Sequence, residues 1–310
     1  MQNLCKFEPG SKPDNRLLSI DIDMKINTII ATILLLIIAG CFGNGKNQGN
    51  TLYNPEKIDS KGTLVIVGGG DSVMPVIEHI VELGGGDRAK VLVVPFASGF
   101  PEEMGLAQVQ EFLDAGCEAT ELILCEKEEI DSPENIAKLD SVTVVFFGGG
   151  DQNRLTSFLA GTKFLERIRS FYNEGGVVGG TSAGAAVMSK VMITGNQKSN
   201  ESESPPFDKI EKGDIVTAEG FGFLKNIIID QHFIIRKREN RLFSVLLDYP
   251  NMRGIGIDEP AAIVVKPDNT FEVIGTGQVL VFEPYSDNVE AENFNTYKVR
   301  ILSPGDTYNL

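Results

Sequence analysis

Ser182 stands in Gly180-Thr181-Ser182-Ala183-Gly184, a G-x-S-x-G pattern that follows a short apolar run. The run predicts a buried strand, and the small residues after the serine predict the start of a helix. A nucleophile suits this setting, because only glycine-sized neighbours leave room for the backbone and a substrate at a sharp strand-to-helix turn. The backbone N–H of Ala183 would then point at a developing oxyanion. The same residues also fit an ordinary glycine-rich turn with a capping serine, so the pattern alone leaves both interpretations open.

A serine nucleophile needs a general base, and the sequence contains two histidines, His79 and His232. His79 falls inside an apolar pattern of helical period, away from the end of a strand, which favours a structural or surface role. His232 directly follows an apolar strand and stands among polar residues, so it is the candidate base. The carboxylate that orients the imidazole is Asp258 or Glu259, which follow another strand-like run. Spacing does not choose between these two.

Apolar runs alternate with helical patterns through most of the chain. Near-continuous apolar strands indicate a buried parallel sheet, so we predict an α/β fold whose mostly parallel sheet is flanked by helices on both faces. Active sites in such sheets lie at the carboxyl ends of strands, where the glycine-rich turns at 148–150 and 179–184 fall. The predicted strands are 63–67, 90–96, 121–125, 142–147, a run ending at 178, 226–230, 254–257 and 261–265. The predicted helices are 73–83, 102–115 and one stretch over 154–173.

Three other regions have distinct patterns. Residues 195–214 are polar, contain Ser204-Pro205-Pro206 and predict a surface loop. Residues 271–303 alternate apolar and polar side chains, which predicts a C-terminal extension of β-hairpins at a sheet edge. The triple glycine at 68–70 predicts a tight turn rather than a nucleotide site, because it lacks the G-x-G-x-x-G fingerprint and no P-loop is present.

Composition limits the classes of function. The net charge of −15 argues against a nucleic-acid binder and is compatible with a cationic or arginine-bearing substrate. The four cysteines, Cys5, Cys41, Cys117 and Cys125, form neither a disulfide framework nor a C-x-x-C pair. Cys117 and Cys125 either pair in an oxidising compartment or are two separate buried thiols, and we favour the second interpretation. The sequence offers no obvious metal site.

Residues 24–41 contain a lysine, an apolar run and small residues, as in a signal peptide. Residues 38–41, Ile-Ala-Gly-Cys, resemble a bacterial lipoprotein cleavage box, which would make Cys41 the lipidated first residue. Residues 42–60 then form a flexible tether and 61–310 a single catalytic domain. Residues 1–23 are an extended leader or reflect a start placed too early. This organisation predicts an envelope or secreted location with membrane contact only through the lipid; the alternative is an anchor that is never cleaved.

The segment around Ser182, Gly-Gly-Thr-Ser-Ala-Gly-Ala, resembles the serine peptidases of the cyanophycinase and dipeptidase E group. That group has a fold like the class I glutamine amidotransferases, which is flavodoxin-like, with serine in place of cysteine. Three further segments are similar to the cyanophycinases in particular. They are 149–155 (Gly-Gly-Asp-Gln-Asn-Arg-Leu), 230–233 (Asp-Gln-His-Phe) with its trailing arginines, and 256–259 (Gly-Ile-Asp-Glu). Together the resemblance covers residues 60–300.

The resemblance implies a triad of Ser182, His232 and Glu259, with the backbone N–H groups of Ala183 and Gly149 as oxyanion donors. It also implies residues that hold the aspartyl part of a substrate and arginines that line the cleft. Without the resemblance, arginines at this helical spacing would indicate a solvated helix face. The implied substrate-binding residues are Gln152, Asp230 and Gln231 for the aspartyl part and Arg236, Arg238 and Arg241 for the cleft.

The implied activity is that of a serine exopeptidase that hydrolyses cyanophycin, a poly-aspartate chain carrying arginine on its β-carboxyls. The products are β-Asp-Arg dipeptides, released through an acyl-enzyme on Ser182 without metal or cofactor. An α- or β-aspartyl dipeptidase, acting on short aspartyl or isoaspartyl peptides, is an alternative within the group. A catalytically inactive, surface-anchored binding lipoprotein is an alternative from another class. The resemblance is compatible with a homodimer.

The chain also departs from the group's pattern. Gly148 stands where we expect a non-glycine residue, and the 195–214 segment looks unusual enough to reshape the cleft. A lipoprotein signal is not what an intracellular storage-granule hydrolase needs. It suggests a relative that feeds on external polymer or peptides.

Overall fold

The computed structural model describes residues 58–71, 73–200, 207–284 and 297–310. The predicted signal segment, Cys41 and the tether up to residue 57 lie outside the described residues. None of the helices within the described ranges is long and apolar enough to cross a membrane.

Strands and helices alternate up to Thr181, and strands dominate the rest of the chain. The strands are β1 (Thr63–Val67), β2 (Lys90–Val94), β3 (Ala119–Leu122), β4 (Val144–Phe147), β5 (Val177–Thr181), β6 (Val191–Gln197), β7 (Ile215–Glu219), β8 (Ile227–Gln231), β9 (Arg253–Ile257), β10 (Ala261–Val265), β11 (Thr270–Gly275), β12 (Val279–Pro284), β13 (Tyr297–Leu302) and β14 (Thr307–Asn309). The α-helices are α1 (Met74–Leu83), α2 (Pro101–Asp114), α3 (Pro133–Lys138), α4 (Gln152–Leu159), α5 (Lys163–Glu174), α6 (Ala183–Ala186) and α7 (Glu239–Asp248). Gly86–Arg88 and Lys127–Glu129 form single 3-10 turns.

The main sheet has eight strands in the order β14-β11-β10-β1-β5-β4-β2-β3. The strands from β1 to β3 run parallel, whereas β10, β11 and β14 add an antiparallel edge. Side chains alternate between the two faces of β1, so that Leu64 and Ile66 join one core cluster and Val65 and Val67 the other. α1 and α2 cover the second cluster, and α4 and α5 cover the first. The predicted α/β class with a mostly parallel, two-sided sheet is confirmed.

A second sheet has the order β13-β12-β9-β8, in which β8 and β9 run parallel. The sequence predicted strands at 226–230 and 254–257 but did not predict that they leave the main sheet. β12 and β13 form the expected C-terminal antiparallel hairpin, while β11 joins the main sheet. The molecule therefore offers the carboxyl ends of two separate parallel strand pairs, β1–β5 and β8–β9.

Several predicted boundaries are wrong for local reasons. The helical stretch predicted over 154–173 is two helices, because Gly161 takes a positive φ of 77° and the Thr162 side chain caps α5 at the Leu165 N–H. The third strand lies at Ala119–Leu122 rather than 121–125. The loop predicted over 195–214 begins inside β6, which pairs antiparallel with β7.

Candidate active site

The two parallel strand pairs bring the predicted catalytic residues to one place. Thr181 of β5 pairs with Val67 of β1, so Ser182 and the triple glycine leave neighbouring strands at the same edge. Gln231 of β8 likewise pairs with Ile257 of β9, immediately before His232 and Asp258. The His232 N–H donates to the Gly68 carbonyl at 2.8 Å and joins the two strand ends.

Ser182, His232 and Glu259 form a continuous hydrogen-bonded chain. Ser182 Oγ lies 2.7 Å from His232 Nε2, and His232 Nδ1 bonds to Glu259 Oε1. Glu259 therefore contacts the imidazole, which decides the choice left open between Glu259 and Asp258. The Asp258 carboxylate instead accepts the N–H groups of two residues that follow His232.

Ser182 occupies a strained backbone conformation, with φ 53° and ψ −106°. A non-glycine residue at such angles costs about 1–3 kcal/mol, which surrounding contacts must offset. Its N–H donates to the Val67 carbonyl at 3.2 Å, and its carbonyl accepts from Ala185 and Ala186 at 3.0 Å. A Cβ on Gly184 would overlap the Phe147 carbonyl, so only glycine fits there.

The glycine turn after β4 borders the serine. A Cβ added to Gly149 would lie 3.5 Å from the Ser182 Cβ. In the part of the chain that the structure describes, neither the Gly149 nor the Ala183 N–H donates to another protein group. Packing explains why Gly148, where the group's pattern led us to expect another residue, is a glycine. A Cβ at this position would lie 2.8 Å from Oε1 of the buried Gln108.

The triple glycine at 68–70 belongs to the site, which the sequence did not reveal. Gly69 and Gly70 both have φ near +100° (104° and 100°). A Cβ on Gly69 would overlap the His232 ring, and one on Gly70 would lie 3.0 Å from the Glu259 Cβ. These glycines let the base and its carboxylate approach the β1 end closely. In the sequence, the one sign of this role was that the three glycines directly follow β1, the strand that pairs with β5.

A cavity of about 580 Å³ opens beside Ser182 and His232. Five of the six predicted substrate-binding residues line it, the exception being Asp230. β6 forms another part of the wall through Thr194, Gly195 and Asn196, residues that the sequence placed at or beside a surface loop. The five lining residues from the predicted set are Gln152, Gln231, Arg236, Arg238 and Arg241.

Two of these lining residues, Gln152 and Gln231, have side-chain amides that differ in their hydrogen bonds. Gln152 Nε2 donates to the Ile193 carbonyl at 2.9 Å, which ties the start of α4 to β6. Gln231 is buried, and its Oε1 has no hydrogen-bond partner among the described residues. An unpartnered buried acceptor costs about 1–3 kcal/mol.

Asp230 lies behind the cavity wall rather than in it. Its side chain is fully buried, and its carboxylate is bound by Arg241 through Nε, at 3.0 Å, and through Nη2. The Arg241 guanidinium also stacks 5.1 Å from the centre of the Phe207 ring. The resemblance implied that Asp230 contacts a substrate directly. In the structure Asp230 instead binds and fixes Arg241, an arginine of the cavity wall.

The three arginines do not share a solvated helix face. Arg236 and Arg238 lie in the turn before α7, and only Arg241 lies on the helix. Their side chains are 54%, 14% and 2% exposed, in that order. Arg238 Nη1 donates to the Gln231 carbonyl at 2.6 Å. Burial, with Arg241 next to it, lowers the pKa of Arg238 to about 10, so it stays charged at neutral pH.

Burial lowers the pKa of His232, and the positive charge of Arg236 adds to this effect. The hydrogen bond to Glu259 opposes it. A His232 pKa below the ordinary range keeps the imidazole neutral at pH 7, the state in which Nε2 accepts a proton.

The remaining candidates lie elsewhere. His79 is on α1, 3.5 Å from Glu82, and does not line the cavity. Cys117 and Cys125 are both free; the first is buried and the second half-buried. Within the described ranges, no three His, Cys, Asp or Glu side chains are grouped to hold a metal ion.

Comparison with known proteins finds relatives over most of the chain. A sequence model of peptidase family S51 matches residues 63–273. A cyanophycinase of Synechococcus elongatus is 33% identical over 264 residues, which cover 81% of this chain and 80% of that protein. A cyanophycinase of Geminocystis herdmanii is 34% identical over 266 residues, covering 80% and 94%. A crystal structure of a peptidase from an acI-B1 Actinobacterium shares the fold, with TM-score 0.62 and 21% identity over 82% of this chain and 99% of that one.

Proposed function

Because the chain belongs to peptidase family S51 and is a serine-type peptidase, we propose that it hydrolyses cyanophycin to β-Asp-Arg dipeptides through an acyl-enzyme on Ser182. The observation that carries the proposal is the 2.7 Å contact between Ser182 Oγ and His232 Nε2, with Glu259 on the other ring nitrogen. The relatives that are a third identical carry the name cyanophycinase, which supports this substrate.

The geometry supports a two-step acyl transfer. Ser182 Oγ attacks the scissile carbonyl carbon while His232 Nε2 takes the hydroxyl proton, and Glu259 stabilises the imidazolium that forms. The N–H groups of Ala183 and Gly149 receive the oxyanion. The C–N bond then breaks and His232 returns the proton to the leaving amine. Water, deprotonated by the same imidazole, attacks the acyl carbon; the ester C–O bond breaks, His232 returns the proton to Ser182 Oγ, and the carboxylate product leaves.

The cavity chemistry suits an aspartyl substrate. Arg236 and Arg238 present guanidinium groups to the cavity, and guanidinium pairs with carboxylates in a bidentate geometry that fixes orientation. Asp230 contributes indirectly, because its carboxylate holds Arg241 in the wall.

The test is to incubate the full chain with purified cyanophycin and read the products by mass spectrometry, with Ser182→Ala as the matched control. We expect β-Asp-Arg that is absent from the control. Hydrolysis of short aspartyl or isoaspartyl peptides without release from the polymer would instead identify an aspartyl dipeptidase. Failure to turn over either substrate, together with no reaction with a serine-directed probe, would contradict the peptidase mechanism and favour a binding lipoprotein.

The proposed location is the cell envelope, with a lipid on Cys41. Its support is the sequence 38–41, Ile-Ala-Gly-Cys, after an apolar run. Growth with a labelled fatty acid tests it. We expect label on the full chain and none on Cys41→Ala, and an unlabelled wild-type chain would contradict the anchor.

A further inference from the structure

Asp258 lies at the end of β9, one residue before Glu259. Its Oδ1 accepts hydrogen bonds from the backbone N–H groups of Ile234 and Ile235, both at 2.9 Å. These amides belong to the first turn after His232, where the Arg236 N–H donates back to the His232 carbonyl at 3.1 Å. A carboxylate from another strand end therefore caps the turn that carries the candidate base.

We propose that Asp258 is a positioning residue for His232, an inference that rests on the proposed roles of Ser182 and His232. His232 has φ +52°, a conformation that a non-glycine residue keeps only where its surroundings impose it. The amides at the start of a helical turn lack partners within the turn and bear partial positive charge. A side-chain oxygen that accepts from two of them satisfies both donors and thereby fixes the turn.

Backbone hydrogen bonds hold Asp258 itself in place. The Asp258 N–H donates to the Gln278 carbonyl at 3.0 Å, and the Asp258 carbonyl accepts from Ala261 at 2.9 Å. The end of β9 thus supplies two adjacent carboxylates with separate tasks. Glu259 orients the imidazole ring, and Asp258 fixes the backbone from which that ring projects. Both are carried by one rigid strand end, so the ring and its support keep one mutual geometry.

The test uses the full chain and a fluorophosphonate, which phosphonylates Ser182 Oγ with loss of fluoride and does so efficiently only when the base is in place. Asp258→Ala removes the oxygen that accepts both hydrogen bonds, and we expect the limiting inactivation rate to fall about 100-fold, as a misplacement of about 1 Å does. The half-saturating probe concentration should change little. Asp258→Asn keeps an Oδ1 acceptor at the same place, and it should recover most of the lost rate.

Asp268→Ala is the matched control. Asp268 Oδ1 also caps a turn, accepting from the Thr270 N–H at 3.0 Å and Thr270 Oγ1 at 2.6 Å, but far along the chain from His232. Its loss should leave the inactivation rate unchanged. A purely structural role for Asp258 would lower the melting temperature and leave the rate measured well below melting as in wild type, which would overturn the proposal.

Two further outcomes keep the proposal open to contradiction. An Asp258→Asn rate as low as that of Asp258→Ala would overturn it, because the acceptor and not the charge is what clamps the turn. Where Asp258→Ala does not fold, Asp258→Glu pushes the carboxylate outward by one methylene; a folded protein with an unchanged rate would also overturn it. The probe rate needs no knowledge of the substrate, so an error in the substrate assignment would show separately, in the cyanophycin assay.

Discussion

The turns that carry Ser182 and His232 both begin at a non-glycine residue with positive φ, but they have different supports. Each follows the end of a parallel strand, and φ is 53° at Ser182 and 52° at His232. After Ser182, no side chain caps the helical turn, and close glycine packing holds it. After His232, the Asp258 carboxylate occupies the turn's first amides.

Under the proposed mechanism, the difference follows from what each turn has to present. A turn that offers an N–H to an oxyanion must leave that amide uncapped, so its strain is offset by packing of small residues instead of by a side-chain acceptor. A turn that only carries a base has no such restriction, and its amides can be capped. Substitutions in and around the two turns test this difference, and the largest effect is expected at Ser182.

Ser182→Ala removes the nucleophile and should lower kcat by roughly 10⁶-fold, as loss of the serine does in triad enzymes. The side-chain hydrogen bond lost is the one to His232, so melting should stay close to that of the wild type. Product release from peptide substrates and thermal unfolding measure the two effects. Turnover retained within tenfold would contradict the nucleophile.

Glu259→Gln keeps the shape of the side chain but presents the imidazole with an amide, which favours the wrong tautomer. We expect kcat to fall by about 10⁴-fold. Glu82→Gln is the control, because Glu82 lies beside the other histidine at 3.5 Å. Equal effects of the two substitutions on kcat would refute the pairing of His232 with Glu259.

Gly69→Ala tests the glycine support under the His232 ring. The added Cβ overlaps the ring, so the base shifts and kcat/KM should fall by about 100-fold. Gly85→Ala is matched for backbone strain, with φ 114° against 104°, but its Cβ meets nothing within 4 Å. It should cost stability, on the order of 1 kcal/mol in a denaturant titration, without loss of kcat/KM. Similar losses of kcat/KM in both would assign the effect to strain alone.

Arg236→Gln removes a positive charge that helps to lower the pKa of His232. His232 must be neutral to accept the serine proton, so kcat/KM falls as pH drops through this pKa. Without Arg236 the His232 pKa rises, and the acid limb of the pH profile should move to higher pH. A limb that stays in place, or moves to lower pH, would show that Arg236 does not act on the base.

His79→Ala should have the smallest effect. The side chain lies on α1, is about a third exposed and contacts Glu82 rather than the cavity. We expect kcat/KM within about twofold of the wild type, as for a surface substitution away from the site. A loss of several orders of magnitude in a folded variant would mean that the base had been assigned to the wrong histidine.

Local sequence patterns predicted most strands of the main sheet, together with β8, β9 and the two turns that carry Ser182 and His232. These patterns, the apolar period and the glycine spacing, act within a few residues. The same patterns did not predict β6 and β7. They could not predict that β8 and β9 form a separate sheet, since strand pairing is not encoded in either strand alone. The contact of Gly69 with His232 depends on that pairing. The sequence indicated that segment 195–214 shapes the cleft, but it assigned Asn196 to a loop rather than to a strand, because the polar side chains of a cavity-facing strand look like those of a loop.

The choice between Asp258 and Glu259 was undecidable for a similar reason. Adjacent residues at a strand end point in different directions, and only the position of the His232 turn shows which carboxylate meets the ring. The resemblance supplied Glu259, and the geometry agrees with it. Asp258 has a backbone contact that no spacing rule would have revealed.

Intact-protein and peptide mass spectrometry of the full chain after brief reaction with a fluorophosphonate tests the central assignment most directly. We expect one adduct, on the peptide that contains Ser182. It should be absent from Ser182→Ala and form at least about 100-fold more slowly in His232→Ala. An adduct on another residue, or equal rates for the wild type and His232→Ala, would contradict it.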